Sequence, residues 1–250
     1  MFIELIDVLR CVHPHEDSWL VGSFRRMQGR DVVEGSLGCP ICAARYPISG
    51  GAVYFDSEVA AATAPSADAD SAPAAELTAG DAPNAAPREE DVLRIAALLA
   101  LADPGGIVVL GGAWGTLSQP LAALADVLVL LLNPTAAILE APPTSAVISP
   151  RVVPLAAGSC RGVVLGGGPA DAFGSGAGEQ RVEQSLVESA VTVLRRPNHH
   201  GAEGSGGRLI APPCATVPAG VVELARDERC WVGERVAVHD PVVSLGRARR

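Results

Sequence analysis

Aromatic side chains are scarce in this chain: Phe, Trp and Tyr make up only 4% of its 250 residues. A core built almost without them must be aliphatic, and the 48% of hydrophobic residues supply it mainly as Ala, Val and Leu. Positive charge is short as well. The formal net charge is −9, which disfavours broad, independent binding to nucleic acid or to an anionic membrane face. Two basic stretches, FRRMQGR (24–30) and GRARR (246–250), read as solvated surface charge. No apolar window reaches the ~18 residues of a membrane span without a break. The longest, 107–132, is cut by glycines, Pro120 and Asp126. The opening MFIELIDVLRCVH lacks a basic leader and is interrupted by Glu4 and Asp7, so it does not read as a secretory signal. A cytoplasmic protein is expected, and reducing conditions there argue against disulfides among the six cysteines.

A composition break divides the chain. Residues 57–88 are almost wholly Ala, Pro, Ser, Thr, Gly and acid, with one Val, one Leu and no aromatic. Such a segment buries too little apolar surface to offset its chain entropy and is expected to be a disordered linker. It separates a unit over 1–56 from a larger one over 89–250.

In the larger unit, residues 88–106 read as a helix with acids in the first turn and a stop at Asp103-Pro104-Gly105-Gly106. A buried strand is expected over 107–111, a tight turn over 111–115, a helix over 116–126 and a second buried strand over 127–132. The pattern returns with strand 161–167, helix 179–196 and strand 207–213, and a terminal strand pair is expected over 225–236. Continuous apolar strands alternating with helices predict an α/β fold with a mostly parallel sheet covered on both faces.

The smaller unit carries the clearest chemistry. Cys39 and Cys42 form a C-x2-C knuckle, which points two thiolates at one cation and supplies half of a closed tetrahedral zinc site. The other half is expected where the apolar run FIELIDVL ends. Cys11 stands there, followed by His13 and His15, with Pro14 where a second knuckle would put its cysteine. Cys11-x3-His15 is the preferred pair, because three intervening residues let the chain turn back; Cys11-x1-His13 is the alternative. A unit of this size lacks a sufficient core of its own, and metals commonly supply that deficit. With no ligand position left open, the zinc would be structural.

The stretches ELIDVLRC (4–11) and EGSLGCPICAARYPISGGAVYF (34–55) resemble the small zinc-ribbon family whose eukaryotic members activate tRNA, rRNA and release-factor methyltransferases. The first knuckle departs from that family's paired cysteines. The resemblance implies that the ribbon donates a strand edge and an apolar patch to a partner. The strand GAVYF (51–55) and Ile48 are the candidates, in contact with the larger unit or in self-association.

The larger unit is similar to class I S-adenosylmethionine-dependent methyltransferases in three stretches: IVVLGGAWGTLSQPLA (107–122), VPLAAGSCRGVVLGG (153–167), and VLRRP with GGRLIAPP (193–197 and 206–213). The resemblance implies a Rossmann-like sheet, and it places any cofactor contacts at Gly111, Gly115 and Asn133. Its acids are missing. Val109 falls where the first strand should offer a carboxylate, the second strand ends in LLLNP, and Arg161 stands where an aspartate is expected. Ala113 replaces the middle glycine of the turn, beside Trp114. A ribose diol gains charge-assisted hydrogen bonds from a carboxylate, which Val and Leu cannot give. His199-His200, and His239 beside Asp240, form no catalytic set, and Cys160, Cys214 and Cys230 read as small buried residues. The expectation is a non-catalytic zinc-binding scaffold or regulator. The alternative is a divergent methyltransferase carrying its activator-like ribbon in cis.

Overall fold

The computed structural model describes residues 1–56, 88–139, 145–166, 168, 182–197 and 206–237. The expected linker, apart from Arg88, lies outside the described residues, as do His199, His200, His239, Asp240 and 246–250.

A short helix α1 (Ile3–Ile6) opens the chain, followed by a long hairpin of β1 (Val21–Gln28) and β2 (Asp31–Gly38). Strands β3 (Arg45–Ser49) and β4 (Ala52–Tyr54) complete an antiparallel run. From residue 88 onward come α2 (Glu89–Leu98), β5 (Ile107–Gly111), a 3-10 turn (Gly112–Leu117), α3 (Ser118–Ala125), β6 (Leu128–Leu132), α4 (Ala136–Leu139) and β7 (Ala146–Ile148). The chain then runs through β8 (Cys160–Val164), α5 (Gln184–Val193) and β9 (Arg208–Ala211) to the hairpin β10 (Val221–Arg226) and β11 (Trp231–Arg235). The fold is mixed α/β, as expected. Part of the anticipated helix over 116–126 is instead a 3-10 turn. Pro120 permits helix only from its first turn, so the regular α-helix starts at Ser118.

All eleven strands among the described residues belong to one sheet, ordered β1-β2-β3-β4-β7-β6-β5-β8-β9-β11-β10. Strands β7, β6, β5, β8 and β9 are mutually parallel, and β11 runs antiparallel to β9. The amino-terminal strands continue the same sheet. Strand β4 pairs parallel with β7, with Ala52, Val53 and Tyr54 opposite Ala146, Val147 and Ile148. Two flanking contacts reinforce that seam. The Phe2 amide donates to Ser145 Oγ at 2.8 Å. Residues 8–10 bridge to 154–156, with the Arg10 amide on the Pro154 carbonyl at 2.9 Å and the Ala156 amide on the Val8 carbonyl at 2.7 Å.

Alternation sorts each strand between two apolar layers. On one face Val53, Val109, Leu130, Val147 and Val163 pack with α5 and with Leu5, Leu9, Leu37 and Ile48. On the other, Ala52, Tyr54, Val108, Leu110 and Leu131 pack under α2, the 3-10 turn and α3. Val53 is fully buried. Residues 1–56 therefore share a core with the rest of the chain.

Both sheet edges are guarded. All of β1 is exposed, but its ladder is interrupted on either side of Arg26, and Arg26 pairs with Glu34 at 2.7 Å. Strand β10 has a similar shift between Glu223 and Ala225. Irregular ladders and charged side chains deter pairing with another strand.

Arg161 is buried near the amino end of β8, where the ladder to β5 slips by one residue. Its guanidinium donates to the carbonyls of Asp103, Gly105 (2.9 Å) and Ala100 (3.4 Å), fastening the α2–β5 loop. Arg161→Met keeps the aliphatic stem and strands these acceptors. Its expected cost is about 2–4 kcal/mol, read as a lower urea midpoint at unchanged slope; an unchanged midpoint would show that the clamp contributes nothing.

Candidate metal centre

The knuckle is a local construction. The Ala43 amide donates to the Cys39 carbonyl at 3.0 Å and the Cys39 amide to the Ala44 carbonyl at 2.9 Å, while Ala43 takes a left-handed φ of 60°. This closes the turn between β2 and β3 and puts both thiols on one side. The loop after α1 brings the second half, because the bridge of Leu9 to Leu155 ends the first segment beside the knuckle.

Cys11, His15, Cys39 and Cys42 converge so that their ligand atoms all lie within 4.8 Å of one another. Cys11 Sγ is 3.6 Å from Cys42 Sγ, and Cys39 Sγ is 3.3 Å from His15 Nε2. A tetrahedron with metal–sulfur bonds of about 2.3 Å has sulfur–sulfur edges of about 3.8 Å, so these separations match one small cation. His15 Nδ1 lies 2.6 Å from the Glu16 carbonyl. A proton there donates to that carbonyl and leaves Nε2 bare for a metal, the usual outer-shell fixing of a ligand tautomer. The four residues can thus hold a metal ion, and their donor set is compatible with zinc.

Local electrostatics prepare the site. Burial opposes ionisation of Cys39, but the amides of Cys42 and Ile41, with the Cys42 and Cys11 thiols, bring its pKa down to about 7. The hydrogen bond to the Glu16 carbonyl, ahead of the neighbouring thiols, holds His15 above its ordinary value. His13 flanks the cluster, with Nδ1 3.5 Å from Cys42 Sγ and 3.8 Å from Cys11 Sγ.

One neighbour did not enter the sequence-derived ligand set. Tyr46 is buried, and its hydroxyl lies 3.0 Å from Cys11 Sγ and 3.4 Å from His13 Nδ1. Burial, followed by its contact with Cys11, raises its pKa. Its position four residues after Cys42, on the strand that returns from the knuckle, is the signal that could have found it.

The second candidate site lies at the carboxyl ends of the parallel strands, where ligands of open α/β sheets bind at the point of strand-order reversal. Here that point falls between β5 and β8. Gly111 ends β5, and a Cβ on it would stand 3.0 Å from the Val164 carbonyl oxygen. A Cβ on Gly115 would meet Ile138 at 3.2 Å, and one on Gly168 would stand 2.7 Å from Ala113 Cβ. The turns after β5 and β8 therefore touch. Trp114 is buried beneath them. Asn133 spends its amide on the residue just after β7: Nδ2 donates to the Ser149 carbonyl at 2.8 Å, and Oδ1 accepts from the Ser149 amide at 2.7 Å. Val109 is fully buried in mid-strand. Arg161 lies near the other end of the sheet from this crevice.

The remaining cysteines divide. Cys160 and Cys230 are buried, and burial pushes their thiols up to about 12 and about 11; Cys214 is exposed, contrary to the expectation of a buried residue. No helix among the described residues is long and apolar enough to cross a membrane. No family model matches the chain, and no match is found among curated proteins.

Proposed function

We propose that this protein is a non-catalytic zinc-binding scaffold or regulator, in which a structural zinc ribbon is joined to a degenerate methyltransferase-like sheet. The observation that carries this reading is the switch-point crevice. Among the described residues in the turns directly after β5 to β9, at 112–117, 133–139, 149–155, 165–166, 168 and 212–220, none is acidic; the acid that opens the helix after β8, Glu183, is exposed and accepts a hydrogen bond from Ser185. The polar side chain best placed to replace the acids, that of Asn133, is occupied by Ser149. In these described turns a cofactor carrying a ribose diol and an ammonium group would find no carboxylate, and Ala113 closes against Gly168. The ribbon's β4 edge is also already paired with β7, so that edge is not free to serve a separate partner.

One observation favours a second reading. Counted from β5, the parallel strands stand in the order 3-2-1-4-5, the doubly wound arrangement that binds nucleotides and related cofactors. That order supports a divergent S-adenosylmethionine-dependent methyltransferase with its ribbon in cis. Calorimetric titration of the full chain with S-adenosylmethionine separates the two. No heat of binding is expected up to about 1 mM ligand, an affinity of about −4 kcal/mol. Micromolar binding, or methyl transfer to an RNA or protein substrate, would overturn the first reading in favour of the second.

A further inference from the structure

The two halves of the metal cluster are supported differently. Cys39 sits in the knuckle and receives the amides of Ile41 and Cys42. Cys11 has no knuckle, because Pro14 occupies the place where a second would close. A thiolate bound to a cation keeps residual negative charge and needs a donor to face it. The donor at Cys11 is a side chain from another strand: Tyr46 Oη, 3.0 Å from Cys11 Sγ. We propose that Tyr46 is the positioning residue of the metal centre, donating its hydroxyl proton to the Cys11 thiolate, and that His13 acts through Tyr46 instead of binding the metal.

The proton count decides the direction. A metal-bound thiolate is an acceptor only, while a phenol donates one proton and can also accept. The Tyr46 proton therefore goes to Cys11; His13 Nδ1 lies 3.4 Å from the phenol oxygen, and in the proposed arrangement it carries the proton that this oxygen can accept. A His13 protonated at Nδ1 cannot ligate through that atom, although it lies 3.5 Å from Cys42 Sγ. The phenol is also held firmly. Tyr46 is 3% exposed, and its ring packs on Phe55 with centroids 4.5 Å apart. Its strand pairs Tyr46 with Leu37, two residues before Cys39. One strand pair thus fixes both the knuckle and the donor for the opposite ligand.

The inference rests on the zinc reading above, and the test separates the two. The metal-free full chain is titrated with zinc against a chromophoric chelator, and with cobalt(II) by absorption. The unchanged chain should bind one ion with a thiolate-to-cobalt charge-transfer band. Tyr46→Phe keeps the ring contact with Phe55; it should retain one ion, bind zinc about 10–100-fold more weakly and shift the charge-transfer band. His13→Ala should lose less, and combined with Tyr46→Phe it should add little, as expected for a residue acting through the phenol. His15→Ala should lose binding altogether. Melting of the metal-free proteins checks that Tyr46→Phe folds as the unchanged chain does. Zinc affinity and a cobalt spectrum unaltered by Tyr46→Phe would sink the proposal while leaving the zinc reading intact, and so would a His13→Ala loss as large as that of His15→Ala. Failure of the unchanged chain to bind either metal would overturn both.

Discussion

Replacing Val53 by aspartate should unfold the whole chain, not only its first 56 residues. Val53 is fully buried, and it stands opposite Val147 where β4 continues the sheet into β7. A carboxylate there would lie in an apolar layer shared by Leu37, Ile48, Val109 and Leu130. Burying an unpaired charge costs more than most single substitutions, and the loss should exceed about 4 kcal/mol. Val53→Ala serves as the graded version, removing two methyl groups at an expected cost of about 2 kcal/mol. The measurement is calorimetric melting of the full chain. One transition that moves as a whole with Val53→Ala supports a single cooperative core. Two transitions, with the later one unmoved by either substitution, would mean that residues 1–56 fold independently of the remainder.

Loss of the metal should have the second largest effect, and it should reach equally far. Cys39→Ser removes one of the four converging ligands while changing little volume. The expected result is a fall from one zinc per chain to none by elemental analysis, with a lower melting temperature. At free zinc about 1,000-fold above the dissociation constant, binding contributes about 4 kcal/mol to the folded state. For a domain of this size that corresponds to roughly 8–16 °C. The metal-free chain should also be pH-sensitive through Cys39. Its folded pKa of about 7 lies below the ordinary thiol value of 9.0, so the stabilisation is present above pH 9 and is lost as pH falls through about 7. An unchanged melting temperature on adding a chelator to the unchanged chain would show that the metal contributes nothing to the fold.

Local pattern was enough to anticipate much of this molecule. The apolar runs at 107–111 and 127–132 became β5 and β6 within a residue, because a strand buried on both faces needs an unbroken apolar sequence. The knuckle at Cys39 and Cys42 was legible because its geometry depends on a few adjacent residues, and Cys11 followed from the need for two more ligands; spacing preferred His15 with His13 as the alternative, and the structure brings His15 into the cluster. What sequence could not supply were relations between distant segments. Strand β7 is three residues long and has no distinctive pattern of its own. It is defined by lying between β4 and β6, so neither it nor the continuous eleven-stranded sheet could be read locally. The composition break suggested two units, with the strand 51–55 expected against the larger one or in self-association; the register that sets Val53 opposite Val147 is a tertiary fact, and a strand edge in water is less favourable than one with its hydrogen bonds made. Tyr46 reached Cys11, and Asn133 reached Ser149, only through tertiary placement. Residue types and their spacing specify which groups can do chemistry. The packing of strands far apart in sequence decides which of those groups meet, because a hydrogen bond or a metal bond requires a particular distance and direction in space.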